Sequence, residues 1–435
     1  MGFKVEATVR IEKVVFGGEG LGRLSDGKVL FVPYSLPGEL VKVRVVKDLG
    51  DYAEAEIVDI LEPSPDRRSP LCPYYGVCGG CQFQHATYQA QLSLKQAILF
   101  ETFVRAGWKE DIPLEGVVPS PKEFFYRNRL RLHVEADAFK MGFVKRKSHE
   151  VLKIERCFLA EEVLNKVLFD LYQSPVWIRL SAYSKRVKIE SSPLEGKATL
   201  IFWTALKPGK EDLKELASLS GLKACFYWRK GRHPEGPFPE GASFGGRRLF
   251  KGLDHLVYYV QPGVFVQTNW EINLAIMDTI RSWRLDYETV LDLHCGMGNF
   301  ILALISPETT KALGVDTDLR AIEDGLYTAE KNGIDGRLDL RQMSSTEALY
   351  QAIKQGERFD LVLLDPPRGG CKEILRFLPE VNQRYLVYVS CDAPTLVRDL
   401  KILRDLGYLL KKVYLFDMFP QTYHFEVLCL LERKG

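Results

Sequence analysis

Cys391 stands in the stretch VYVSCDAP (387–394), where an apolar, β-favouring run stops at a thiol. A cysteine at a strand tip is packing material, a metal ligand or a nucleophile. An ordinary thiol is only a few per cent thiolate at neutral pH, so nucleophilic use needs a site that removes its proton. LLDPPRGG (363–370) puts a carboxylate, Asp365, at the end of another apolar run. The two prolines after it fix φ and stiffen the exit. Such an aspartate either caps a helix or borders a reaction centre. DLHCGMGNF (292–300) offers Gly296 and Gly298, and the next apolar run ends in Asp316. Glycines let backbone approach a ligand, and a strand-end carboxylate about 20 residues on suits the hydroxyls of a ribose. No third Gly or Ala completes the dinucleotide fingerprint. Finally, CPYYGVCGGCQ carries Cys72, Cys78 and Cys81 in the spacing C-x5-C-x2-C, and IERCFLA adds Cys157 far downstream. Four thiolates suit an iron–sulfur cluster or zinc, and spacing leaves the metal open.

These residues need elements to position them. From about residue 271 the chain alternates strand and helix patterns, which predicts a doubly wound, Rossmann-like parallel sheet over 271–435. Ligands sit at the carboxyl ends of such strands, so Gly296, Asp316, Asp365 and Cys391 should share one edge. Asp292 could be catalytic by position, but supporting the glycine loop is its expected role. Residues 1–62 read as four or five short alternating strands with Gly-rich turns, an OB-type barrel. Residues 71–270 read as a central α+β domain with an antiparallel sheet. Within it, FFYRNRLRLHVEADAFKMGFVKRKSHEV combines Arg127, Arg129, Arg131, Lys145, Arg146 and Lys147 with Phe125, Tyr126 and Phe143. Cations on one strand face can follow a phosphate backbone while aromatics stack on bases.

Composition narrows the class. The chain has 435 residues, 46% hydrophobic and 27% charged, with a net charge of +2. That length asks for two or three domains, and any basic surface must be local. No apolar run approaches the roughly 18 residues of a membrane span. The alternating, charged start is unlike a signal peptide, and Glu6 stands where myristoylation wants Ser or Thr. The expectation is a cytoplasmic protein with no membrane partner, monomeric by default. Nine cysteines argue for thiol or metal chemistry over a disulfide scaffold.

The D-x-x-x-G-x-G form resembles S-adenosylmethionine methyltransferases. The chain as a whole resembles the RNA uracil-5-methyltransferases, above all the iron–sulfur branch acting on 23S ribosomal RNA. YRNRLRL, GFVKRKSHEVLKIERC, VFVQTN, DLHCGMGNF, LDPPRGG, VSCDAPTLVRD and DMFPQTYHFEVLCLLER follow in the family's order. The resemblance implies a TRAM barrel at the amino end and a [4Fe–4S] cluster on Cys72, Cys78, Cys81 and Cys157. It implies that Gln267, His294, Asn299, Asp316, Ser344 and Asp365 contact S-adenosyl-L-methionine. It makes Cys391 the nucleophile and Glu426 the base. The family's S-C-N-P reads S-C-D-A-P here, His294 replaces an aromatic ring, and Tyr423 replaces a small residue. RNA is the implied partner, with 23S rRNA ahead of tRNA. Three other classes fit less well. An amino-methyltransferase uses a D-P-P-Y/F loop without a nucleophilic cysteine. A non-catalytic RNA-binding protein has no use for Cys391. A radical enzyme needs C-x3-C-x2-C.

Overall fold

The computed structural model describes residues 6–135, 140–230, 234–306, 308–334 and 336–434. Residues 1–5 of the expected barrel and 136–139 of the expected basic stretch lie outside these. The chain forms two compact units. One comprises Met1–Lys109, Val144–His149 and Phe419–Phe425, and the other Glu110–Phe143, Glu150–Met418 and Glu426–Gly435.

In the first unit, β1 (Glu6–Val14), β2 (Glu19–Arg23), β3 (Val29–Pro33), β4 (Leu40–Asp48) and β5 (Tyr52–Glu62) close into a barrel ordered β1-β2-β3-β5-β4. Alternation explains the closure. Val9, Ile11, Leu30, Val32, Val41, Val43, Ala53 and Ala55 point inward and form one buried cluster. A helix, Tyr88–Arg105, follows the cysteine loop, with the Thr87 hydroxyl accepting from the Ala90 amide. Arg146 and Lys147, expected on a nucleic-acid face, instead pair here with Glu19 at 2.7 Å and Glu54 at 2.6 Å.

The second unit holds two large sheets. After β6 (Leu114–Val118) come β7 (Arg129–Glu135), β8 (Lys140–Val144), β9 (Val151–Lys153), β10 (Ser184–Ser192), β11 (Lys197–Thr204), β12 (Leu222–Trp228) and β13 (Glu235–Phe238). They form a seven-stranded sheet ordered β13-β12-β11-β10-β7-β8-β9. It is mixed rather than antiparallel. The helix Lys210–Ala217 carries the chain back across, so β11 and β12 run parallel. Leu130, Leu132, Val187, Ile189, Leu200 and Phe202 fill its inner face. β14 (Arg248–Lys251) and β15 (Val257–Val260) make a hairpin.

The remaining strands are β16 (Thr289–Asp292), β17 (Lys311–Asp316), β18 (Leu338–Gln342), β19 (Phe359–Leu364), β20 (Asn382–Ser390), β21 (Tyr408–Phe416) and β22 (Glu426–Arg433). They order as β18-β17-β16-β19-β20-β22-β21-β6. The first five run parallel; β16, β17, β19 and β20 are largely apolar and buried, while the edge strand β18 is polar and partly exposed. β22 is antiparallel to both neighbours, and β6 joins the far edge from an earlier part of the sequence. The strand order reverses between β16 and β19, which is where such sheets bind ligands. No described helix is long and apolar enough to cross a membrane.

Candidate active site

Because β16, β17, β19 and β20 are parallel and lie close together, the residues just past their ends converge. The glycine loop turns sharply after β16. Gly298 has φ +78°, and a Cβ there would lie 2.8 Å from Leu302 Cδ1, so a side chain would be strained and would displace Leu302. The Gly296 amide donates to Asp316 Oδ2 at 3.0 Å, tying the loop to the end of β17. Asp316 Oδ1 accepts from the Asp318 amide at 2.9 Å.

Asp365, Cys391 and Glu426 are brought together at this edge. Glu426 opens β22, which pairs with β20 so that Val427 faces Ser390, next to Cys391. Cys391 is half-buried and free. Burial pushes its thiol up to about 12, Glu426 and Asp365 add to the rise, and the Arg368 guanidinium opposes it. Burial also raises Asp365 to about 7, against a hydrogen bond from Gln267. Glu426 is buried, and burial followed by the neighbouring Asp365 holds its carboxyl well above the usual range. Its Oε2 has no hydrogen-bond partner. Asp292 is raised to about 8, first by burial, with its Oδ2 also unpartnered. This edge therefore holds protons: the thiol and the neighbouring carboxyls lean to their neutral forms.

The expected cofactor residues divide by geometry. Gln267 is buried and donates to Asp365 Oδ2 at 3.3 Å. His294 is half-buried, its basicity lowered by burial, with Ser345 Oγ 3.4 Å from Nε2. Asn299 turns its amide to Asn273, each donating to the other at 2.8 and 2.9 Å. Ser344 caps the helix Ser345–Gln355 in a capping box with Glu347. Those two side chains brace the loops that carry the site, and Asp292 likewise accepts from the His294 amide at 3.3 Å.

Two supporting networks were not legible in the sequence. Asp399, fully buried, accepts from the Cys371 amide at 2.9 Å and the Tyr388 hydroxyl at 2.8 Å. Arg398 donates to the Gly369 carbonyl at 2.9 Å, and Thr395 to that of Arg368 at 3.1 Å. The loop bearing Arg368 is thus latched to the helix Ala393–Asp405, which starts just behind Cys391. The second network clamps the approach to Gln267. The Gln261 amide donates to Asp324 and the Gly263 amide to Glu190, both at 2.7 Å. Arg248 donates to the carbonyls of Gln261 at 3.2 Å and Val264 at 2.8 Å. Arg320, Lys188, Arg129 and Asn128 take the carbonyls of Pro262, Gly263, Val266 and Gln267 at 2.6, 3.3, 2.7 and 2.7 Å. Glu190 and Arg248 are both fully buried, 3.5 Å apart. A buried ion pair is seldom a net source of stability; here it fixes a loop. Arg129, expected on a nucleic-acid face, is drawn into this clamp.

The cysteine loop is a separate matter. Cys72, Cys78 and Cys81 are half-buried in the first unit, and Cys157 is half-buried in the second. Tight turns shape the loop, with the Cys78 amide on the Tyr74 carbonyl at 2.8 Å. Thiols are suitable donors for iron or zinc. Yet among the described residues no three His, Cys, Asp or Glu side chains gather as a metal site. A cavity of about 710 Å³ opens at the amino ends of the parallel strands, near Leu256, Arg284, Tyr287 and Ile305. It contains none of the reactive residues.

A doubly wound parallel sheet with a glycine loop after β16 and an acid at the end of β17 has the architecture of an S-adenosylmethionine-dependent methyltransferase. The comparisons with known proteins agree. Residues 251–434 match the family of tRNA (uracil-5-)-methyltransferases, and residues 5–58 match the TRAM domain. An RNA methyltransferase of Aquifex aeolicus is 35% identical over 98% of each chain. A 23S rRNA (uracil(1939)-C(5))-methyltransferase of Pseudomonas putida is 32% identical, over 97% of this chain and 92% of its own. The fold matches the Pyrococcus abyssi tRNA (uracil-54, C5)-methyltransferase solved with S-adenosyl-L-homocysteine. That match has a TM-score of 0.72 and 23% identity over 97% of this chain and 99% of the other. The chain belongs to the S-adenosylmethionine-dependent RNA uracil-5-methyltransferase family.

Proposed function

We propose that this enzyme methylates C5 of a uridine in 23S ribosomal RNA through a transient bond from Cys391 to C6. The supporting observation is the placement of Cys391 beside Glu426 at the ligand edge of the sheet. S-adenosyl-L-methionine supplies an electrophilic methyl group, and Gln267, His294, Asp316 and Asp365 would hold it. Asn299 and Ser344 would act from behind, by bracing their loops.

Uracil C5 is a poor nucleophile on its own. Addition of the Cys391 thiolate at C6 moves the C5–C6 electron pair toward the C4 carbonyl, and the resulting enolate attacks the methyl through C5. C5 then carries both methyl and hydrogen. Glu426 removes that proton, the ring double bond re-forms, and the C6–sulfur bond breaks to return the thiolate. The thiol titrates near 12 in its buried surroundings, so its proton must leave only once the ligands arrive. A cationic methyl donor beside Asp365 and Glu426 favours their ionised forms. The same cation favours the Cys391 thiolate directly, and Asp365 beside the thiol, once ionised, can take the thiol's proton. The target base has to leave its stack to reach it.

The relatives acting on 23S rRNA cover nearly the full chain, which puts ribosomal RNA first. A tRNA uridine is the second reading, because the matching family is described by tRNA. Mapping 5-methyluridine in total RNA from cells lacking the gene decides between them. Loss of a ribosomal site supports the proposal, and loss confined to tRNA overturns its substrate. The [4Fe–4S] reading rests on donor chemistry and on the C-x5-C-x2-C spacing alone. Protein purified without oxygen should be brown with about four irons per chain; stoichiometric zinc or no metal would reject it.

A further inference from the structure

The seven-stranded sheet packs one face against helices; its other face is covered where the Gly263 loop lies over Glu190 and Ile201, and the open part beside that loop carries an ordered row. In register across four strands stand His133 on β7, Arg186 on β10, Trp203 on β11 and Trp228 on β12. The two indoles stack, with centroids 5.6 Å apart and planes within 17°. Both are half-buried over Ile201, Ala224 and Phe226. Arg131 stands one step along β7 on the same face, opposite Lys188.

Charge on this face is one-sided. Arg131 and Arg186 are exposed, and among the described residues neither has an acidic partner. The carboxylates nearby are taken. Glu190 is held by Lys188 and Arg248, and Glu135 pairs with Lys140 at 3.5 Å. Arg186 stands directly across from His133, whose basicity is lowered first by burial and then by Arg186 and Arg131. Unpaired cations next to a ready-made aromatic stack fit an anionic backbone whose bases are free to stack. Three inter-strand steps of about 4.8 Å make the row about 14 Å long, the span of two or three nucleotides.

We propose that this row is a docking platform for single-stranded RNA flanking the target uridine. Arg131, His133 and Arg186 receive phosphates, and Trp203 and Trp228 receive an unstacked base. The platform rests on the function proposed above and specifies where its substrate lies. It shares β7 and β10 with the clamp that holds the Gln267 loop, so the platform and the catalytic edge are joined by rigid structure.

The test uses the full-length protein and a labelled single-stranded oligouridylate of about 20 nucleotides. Arg131→Glu/Arg186→Glu, on exposed positions, should weaken binding at least tenfold. It should also lower the slope of log affinity against log salt by about 1.4, at about 0.7 per phosphate contact on single strands. Trp203→Leu should lose part of the tryptophan quenching seen when the oligomer binds. Unchanged affinity and slope in the double variant would overturn the platform. Equal binding of duplex RNA without quenching would overturn base stacking. Should the wild-type protein methylate no uridine in total RNA, the proposed function fails instead, while the oligomer data still judge the platform.

Discussion

The two sheets of the second unit handle charge in opposite ways. At the carboxyl edge of the eight-stranded sheet, acids and a thiol are buried together and lean to neutrality, with Asp365 near 7, Asp292 near 8 and Cys391 near 12. On the open part of the seven-stranded sheet, Arg131 and Arg186 are exposed, with no carboxylate paired to them among the described residues. The first arrangement stores reactivity that appears when ligands change the local field. The second works at once, at long range, and weakens with salt. Chemistry and docking are thereby separated, and substitutions should separate them too.

The largest effect belongs to the neutral edge. Cys391→Ala should lower methylation by at least about 10³-fold, while titration with S-adenosyl-L-homocysteine shows affinity within a few fold of the parent. Retained turnover would remove the covalent route. Glu426→Gln should slow release by about 10² to 10⁴-fold and leave protein bound to RNA on a denaturing gel. Normal product release with no such band would assign the proton to another group.

Next comes the clamp between the two regions. Glu190→Gln leaves Arg248 buried with its strongest partner removed, which should cost about 3–5 kcal/mol in urea unfolding. Arg248→Met in addition should recover part of that stability but not the turnover number, since the Gln261–Gln267 backbone then loses its anchors. Equal recovery of both would reduce the pair to a structural role.

The remaining effect is read as a dependence on pH and concerns Asp292. Its carboxyl ionises near 3.8 when exposed but keeps its proton to about 8 when folded. Unfolding therefore releases a proton in that window, so stability falls as pH rises from about 4 to about 8, by up to about 1.4 kcal/mol per pH unit. Asp292→Asn should flatten this slope in thermal melts compared at pH 5 and pH 8. An unchanged slope would place the released proton on Asp365 or Glu426.

The catalytic edge was legible in the sequence because each strand of a parallel sheet is a buried apolar run that ends at a turn residue. Thus Asp316, Asp365 and Cys391 announced themselves by position. The barrel was legible from its period-two alternation. What stayed hidden depends on packing between distant segments. Arg129 reads like its neighbour Arg131, yet one holds the Val266 carbonyl and the other faces solvent. Arg146 and Lys147 looked like the same cationic run, but they belong to the first unit and meet barrel carboxylates there. The partner of Asn299 was likewise hidden, because only folding brings Asn273 to its amide. Ser344 did carry a local signal, because Glu347 three residues on is the mark of a capping box. The platform needed the register of four strands, which no single segment contains.

One measurement bears most directly on the central claim, that the Cys391 sulfur bonds to the base. RNA in which uridine is replaced by 5-fluorouridine cannot give up a C5 proton after methyl transfer, so the adduct has no exit. Incubated with protein and S-adenosyl-L-methionine and analysed by mass spectrometry after digestion, it should yield the peptide containing Cys391 joined to a methylated fluorouridine nucleotide. Methylated product from ordinary RNA, with no captured peptide or with capture at another residue, would contradict it.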